Sequence, residues 1–91
     1  MQVTFKRAGS RAAVTTLAEL PEDQQATLDR IELPEEFAGR LMELGFIPGA
    51  IISAAKAAPG GDPRVFRVDG SEIALRRETA QRLMLRPPRE S

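Results

Sequence analysis

The 91 residues suffice for one small domain, and the composition excludes several kinds of function. The 13 basic and 13 acidic residues give zero net charge, which argues against a protein that coats nucleic acid through charge alone. The chain has no Cys and therefore no disulfides or thiolate nucleophiles, and it has no His, which is the commonest general base and metal ligand. No apolar run approaches the ~20 residues of a transmembrane helix.

The first third of the chain contains few regular elements. Residues 1–14 lack sustained periodicity, and we expect a mobile or loosely docked extension there. Thr16 and Glu19 have the spacing of a capping box, which predicts a short helical turn between them. Residues 25–33 alternate in polarity and include β-branched side chains, which favours a strand.

The clearest helix signal covers residues 34–44. Pro34 suits the first helical position, because a missing N–H costs nothing there. Gly45 can supply the left-handed residue that closes the helix, and Phe46 can then fold back onto the last turn. Four apolar residues repeat at helical spacing and predict one apolar stripe: Leu33, Phe37, Leu41 and Leu44.

The second half of the chain predicts short strands with tight connections. Asp69-Gly70 is a strong two-residue hairpin signal, residues 59–63 are a loop of Pro, Gly and Asp, and residues 77–82 form one helical turn. Helix propensity would also suit residues 50–58, but Ile51, Ile52 and the nearby turn signals favour a strand. The predicted strands are residues 50–58, 65–68, 71–76 and 83–85. So many short strands in so small a chain imply a mainly β fold that closes into a barrel.

Little catalytic or metal-binding chemistry is available. Only oxygen ligands remain for a metal, and Glu32, Glu35 and Glu36 could hold a divalent ion loosely. Their simpler interpretation is a helix N-terminus with favourable acids. The Ser residues have no His to activate them, so we expect no enzyme activity and no required cofactor.

Binding to nucleic acid is an alternative from a different functional class. Small barrels bind single strands by stacking bases on aromatic residues beside a basic groove. Stacking residues are scarce here, since the chain has four Phe and no Trp or Tyr. The basic residues that would form such a groove gather toward the C-terminus: Arg76, Arg77, Arg82, Arg86 and Arg89.

Three further segments carry a family resemblance. Residues 40–49 read RLMELGFIPG and resemble the R-L-x-E-L-G-hydrophobic-x-P-G motif of the ferrous iron transport protein A family, FeoA. Residues 58–63, APGGDP, and residues 74–80, ALRRETA, are similar to that family's A-P-x-G-D-P and A-L-R-x-x-x-A segments, in the same order and spacing. One departure is Asp23, which stands where the family often has Gly after its opening L-x-x-L.

The resemblance implies a small SH3-like β-barrel over residues 15–88, with one helix between early strands, a helical turn near the C-terminus and a tail at residues 89–91. It also implies a noncatalytic accessory protein of the bacterial cytoplasm that contacts the cytosolic GTP-binding domain of the membrane ferrous-iron transporter FeoB. We expect a monomer or weak homodimer without membrane insertion or nucleic-acid binding. The same domain type occurs in iron-dependent repressors, so a repressor-associated module is the alternative.

The sequence offers three candidate partner-binding surfaces. The first is the end and exit of the helix, where Met42 and Ile47 lie off the apolar stripe and are expected to be exposed, whereas Leu41 and Phe46 could equally be core. The second is the proline-stiffened loop at residues 59–63, and the third is a pair of arginines. The predicted residues are Leu41, Met42, Leu44, Phe46, Ile47 and Pro48, then Pro59 and Asp62, then Arg76 and Arg77.

Overall fold

The computed structural model describes residues 14–56 and 58–87. The predicted N-terminal extension, apart from Val14, and the predicted tail at residues 89–91 lie outside these ranges. Within them, no helix is long and apolar enough to cross a bilayer.

The described residues form a mainly β fold with short helices, as predicted. Two short 3₁₀ turns, at Leu17–Glu19 and Pro59–Gly61, accompany the regular elements. These elements are β1 (Gln25–Ile31), α1 (Glu35–Glu43), β2 (Ile51–Ala54), β3 (Arg64–Val68), β4 (Ser71–Leu75), α2 (Arg77–Ala80) and β5 (Leu83–Leu85).

The strands form one antiparallel sheet in the order β4-β3-β2-β1-β5. The outer side of β5 is covered, because the Leu85 amide donates a 2.8 Å hydrogen bond to the Thr15 carbonyl and Thr16 bridges to Met84. β4 is the strand at the other end of the sheet. Its outer edge is therefore the open one among the strands that the structure describes.

The core is aliphatic apart from two phenylalanines, as the composition predicts. It lies against one face of the sheet and draws residues from every strand and from both segments that flank β1. Its largest fully buried side chains are Phe46, Phe66, Leu17, Leu28, Ile52 and Leu83.

Two turns of the described chain place a residue other than glycine in the left-handed region. Asp69 and Gly70 have φ values of 52° and 79°, the signature of a type I′ hairpin, which confirms the predicted β3–β4 turn. Asp23 has φ 66° in the turn before β1. Since Gly adopts this conformation without strain and Asp tolerates it better than most residues, the departure at Asp23 preserves the turn.

Most predicted elements are confirmed in type but are shorter than expected. The strand predicted at residues 50–58 covers Ile51–Ala54, and the one predicted at residues 25–33 ends at Ile31. Pro34 is the N-cap rather than the first helical residue, because its ψ of 149° is still extended. The predicted elements are in the right order; β5 has its predicted bounds, and β3 begins one residue earlier than predicted, at Arg64.

The predicted apolar stripe of α1 is not a buried stripe. Leu41 alone among its four residues is fully buried, Leu33 is half-buried, and Phe37 and Leu44 expose 50% and 48% of their surface. The core consists mostly of strand residues and Phe46. Leu41 is therefore the one side chain of α1 that is buried against it. Phe37 and Leu44 thus remain accessible.

Candidate partner-binding surface

The exit of α1 separates buried from exposed residues within a few positions. The Gly45 amide donates to the Met42 carbonyl and the Phe46 amide to the Leu41 carbonyl, both at 3.0 Å, with Gly45 at φ 110°. This pair of bonds is a Schellman closure, and it returns Phe46 to the core. Leu41 and Phe46 are 7% and 0% exposed, so these two predicted residues contribute packing rather than an accessible contact surface.

The other predicted residues of this segment do reach the surface. Met42, Leu44 and Ile47 are 42%, 48% and 50% exposed, and Pro48 is exposed beside them in sequence. We call these four residues the helix-exit patch. Large apolar side chains that face water on a rigid turn are typical of a protein contact site.

A separate groove lies between α1 and the end of β4. Its volume is about 500 Å³, and its walls are mainly apolar. We call it the α1–β4 groove; its lining is Leu33, Phe37, Arg40, Leu41, Ala74, Leu75, Arg76, Glu78, Thr79 and Arg82. Of the predicted partner-binding residues it includes Leu41 and Arg76, but not Arg77, the helix-exit patch or the loop at residues 59–63.

The arginines divide into paired and unpaired groups. Arg30 contacts Asp29 and Glu32 at 2.9 and 2.8 Å, and Arg67 contacts Glu72 at 2.9 Å. Arg86 lies 3.9 Å from Asp29. Arg64 bonds to backbone carbonyls instead. Four further arginines have no carboxylate partner within the described ranges: Arg40, Arg76, Arg77 and Arg82. Three of these four line the α1–β4 groove, so the groove carries three guanidinium groups without a carboxylate partner in the described chain.

Asp62 has a structural contact that the sequence analysis did not predict. Its Oδ1 accepts a 2.9 Å hydrogen bond from the backbone N–H of Arg77, the first residue of α2. The carboxylate therefore caps α2 from a distant loop and fixes the loop beside it. Pro59 is exposed at the start of the same loop.

Arg64 is a structurally important residue that the sequence analysis missed. Its guanidinium donates to the carbonyl of Ala18 at 3.0 Å and to that of Leu20 at 2.6 Å, and it lies 5.3 Å from the centre of the Phe66 ring. It thereby ties the segment before β1 to β3. The signal was present, because a period of two places Arg64 on the same strand face as Phe66 and Val68.

The three candidate metal ligands do not come together. Glu32 accepts a 2.8 Å hydrogen bond from Arg30, which raises the pKa of the Arg30 guanidinium, while Glu35 and Glu36 lie exposed in the first turn of α1. No group of three Asp or Glu residues in the described chain has the arrangement of a metal site.

Comparison with known proteins gives consistent matches. Residues 15–87 match the family model described as the FeoA domain. The chain is 36% identical over 67 residues to a Fe(2+) transport protein A/Fe(2+) transporter FeoB fusion protein of Porphyromonas gingivalis, covering 74% of this chain and 8% of that protein. The chain thus spans less than a tenth of the length of this relative.

Solved structures agree with the sequence comparison. Iron(II) transport protein A from Clostridium thermocellum superposes with a TM-score of 0.74 at 30% identity, covering 79% of this chain and 44% of that one. FeoA of Stenotrophomonas maltophilia, an SH3-domain protein solved with zinc, gives a TM-score of 0.69 at 32% identity, covering 78% and 88%. The predicted SH3-like fold is confirmed.

Proposed function

The chain belongs to the FeoA family, and on that premise we propose that it is a noncatalytic accessory protein of bacterial ferrous iron transport. It acts on the cytoplasmic side by contact with the cytosolic GTP-binding domain of FeoB, and it needs no cofactor of its own. Iron is the cargo of the transporter in this account, not a ligand of the chain.

The fusion protein of Porphyromonas gingivalis is the observation that carries this proposal. There, a segment similar to this chain and the transporter are parts of one polypeptide. Covalent linkage gives two parts a high effective concentration for each other, so fusion suits parts that work in contact. A separate chain has to reach the same contact by binding.

The helix-exit patch is the surface that best suits this contact. Met42, Leu44 and Ile47 are exposed and apolar, and the closure at Gly45 holds them on a rigid turn. Rigid apolar anchors lose little conformational entropy on binding, which favours a specific contact. Catalysis is a poorer fit, because the chain has neither His nor Cys to serve as base or nucleophile.

Ferrous-iron uptake by intact cells tests the proposal. In a strain that depends on FeoB, deletion of the gene for this chain should change the rate of ferrous uptake without changing the amount of FeoB in the membrane. Wild-type protein should restore the rate, and an Ile47→Glu variant at equal abundance should not. Uptake that is unaffected by the deletion would contradict an accessory function.

A further inference from the structure

The outer edge of β4 offers backbone groups to a partner. Val68 and Ser71 close the two-residue hairpin, so they form a hydrogen-bonded pair, and such pairs alternate along the β3–β4 ladder. Ala74 faces Val65 in a non-hydrogen-bonded position. Its N–H and C=O therefore point away from β3, toward the open side of the strand.

The α1–β4 groove reaches this edge at the last two residues of β4. Ala74 and Leu75 are neighbours in a strand, so their side chains lie on opposite faces of the sheet, yet both line the groove. A cavity lined by both residues therefore reaches the edge of β4 at this point. Phe37 and Leu41 of α1 form its opposite, apolar wall.

The charge of the groove selects the kind of occupant. Arg40, Arg76 and Arg82 line it without a carboxylate partner in the described chain, and Glu78 is the one acidic residue in the lining. Unpaired guanidinium groups beside an apolar wall favour a partner that carries carboxylates and apolar side chains together.

We propose that the α1–β4 groove binds an extended acidic segment of another protein, which pairs with the free edge of β4 as an added strand. Its backbone bonds to the N–H and C=O of Ala74. Its apolar side chains pack on Phe37, and its carboxylates meet Arg40, Arg76 and Arg82. This inference goes beyond the proposed function, because it concerns a different surface from the helix-exit patch and does not require FeoB as the partner.

Other occupants fit the groove less well. The chain before Val14 is basic, with Lys6, Arg7 and Arg11, so the groove would repel it. A nucleic acid would meet the arginines but could stack on one aromatic residue, Phe37, and would leave the strand edge without a backbone partner.

A designed peptide tests the proposal directly. The probe is an acetylated peptide of alternating Glu and Val, about as long as a typical strand, and its twin has Lys in place of every Glu. Titration of the full ¹⁵N-labelled chain to about 1 mM peptide should shift the amides of Phe37, Arg40 and Ala74. The exchange of the Ala74 amide with solvent should slow, and the Lys twin should leave the spectrum unchanged.

Two variants separate the charge from the strand pairing. Arg40→Glu should weaken binding of the acidic peptide about tenfold, whereas Arg77→Glu, an equal charge change at an arginine outside the groove, should weaken it less than about twofold. Ala74→Pro removes the outward N–H without removing a bond to β3, so it should abolish binding while the β3–β4 amide signals persist. N-methylation of the peptide at alternate residues should do the same with the wild-type chain.

Four results would overturn the proposal. The first is no shift at the highest peptide concentration, and the second is shifts confined to Met42, Leu44 and Ile47. The third is equal binding by the Lys twin, by the N-methylated peptide or by a thymidine oligonucleotide. Self-association of the chain that shifts the groove amides without peptide would identify a second copy as the occupant and would also contradict it.

Discussion

The amide of Phe46 donates a 3.0 Å hydrogen bond to the carbonyl of Leu41, and both side chains lie in the core. Between them in sequence, Met42 and Leu44 face the solvent. This one chain reversal therefore decides which apolar residues complete the fold and which remain available to a partner. Predictions about stability and about binding can be tested on neighbouring residues.

Gly45 should be the most restrictive glycine of the helix exit. Its φ of 110° is costly for any residue with a Cβ, although the added atom would meet Asp69 at an ordinary 3.4 Å. Gly45→Ala should lower the free energy of unfolding by about 1–3 kcal/mol, mainly through backbone strain. Urea unfolding followed by circular dichroism measures this loss.

Gly39 provides the matched control in the same helix. An added Cβ would have no atom within 4 Å, and the backbone is helical. Gly39→Ala should therefore raise the free energy of unfolding by about 0.5–1 kcal/mol. Equal effects of the two substitutions would mean that the closure at Gly45 is unimportant.

The contact of Asp62 with α2 predicts a local loss of stability. Asp62→Ala removes the acceptor for the Arg77 N–H and should cost about 0.5–2 kcal/mol. The Arg77 amide should then exchange faster with solvent in a hydrogen-exchange NMR experiment. Asp62→Asn keeps an acceptor oxygen and should retain most of the protection; equal exchange in both variants would contradict the capping role.

The stability of the turn at Leu17–Glu19 should depend on pH through the carboxyl group of Glu19. The pKa of Glu19 is lowered below its ordinary value, mainly because its carboxylate accepts a hydrogen bond from the backbone N–H of Thr15. Weaker bonds from the Thr15 hydroxyl and the Thr16 N–H act in the same direction, and partial burial opposes them. The folded-state pKa is the lower one, so the stabilisation is fully present above the ordinary Glu pKa of about 4.3 and is lost as pH falls through the folded-state value.

A carbon-detected NMR titration of the Glu19 carboxyl measures this pKa. We expect its midpoint below the ordinary value, and we expect Glu19→Gln to remove the corresponding part of the acid dependence of unfolding. Because the side chain is exposed, the effect should be small. A midpoint at or above the ordinary Glu value would refute the contact.

Substitutions at the adjacent residues Phe46 and Ile47 should affect different properties, stability at Phe46 and partner binding at Ile47. Ile47→Glu places a charge at a half-exposed position, so the unfolding midpoint should change little while binding to FeoB weakens. Phe46→Ala empties a fully buried site and should cost about 3–5 kcal/mol of stability. Thermal unfolding distinguishes the two, and an Ile47→Glu chain that binds FeoB normally would exclude the helix-exit patch.

The sequence was sufficient where one local rule controls the structure. Asp69-Gly70 predicted its hairpin because few dipeptides adopt two positive φ values, and Gly45 predicted the end of α1 for a similar reason. The exposure of Met42 and Ile47 followed from their positions off the stripe. Each of these features depends on residues that are close together in the chain.

Features that depend on distant residues were predicted poorly. The helical spacing of Phe37 and Leu44 indicated a buried stripe, but burial depends on how much core the strands leave open, which spacing does not encode. The α1–β4 groove joins residues more than thirty positions apart, and the Asp62–Arg77 and Arg64–Leu20 contacts span 15 and 44 positions. Only the assembled sheet brings these groups together.

The most direct test of the account is an NMR titration of the ¹⁵N-labelled chain with the soluble GTP-binding domain of FeoB, with and without nucleotide. We predict saturable shifts centred on residues 41–49, strongest near Met42, Leu44 and Ile47, and extending to the loop at residues 59–63. The same titration with the Ile47→Glu chain should show much smaller shifts. Unchanged spectra at high micromolar domain concentration, in both nucleotide states, would contradict the proposed contact.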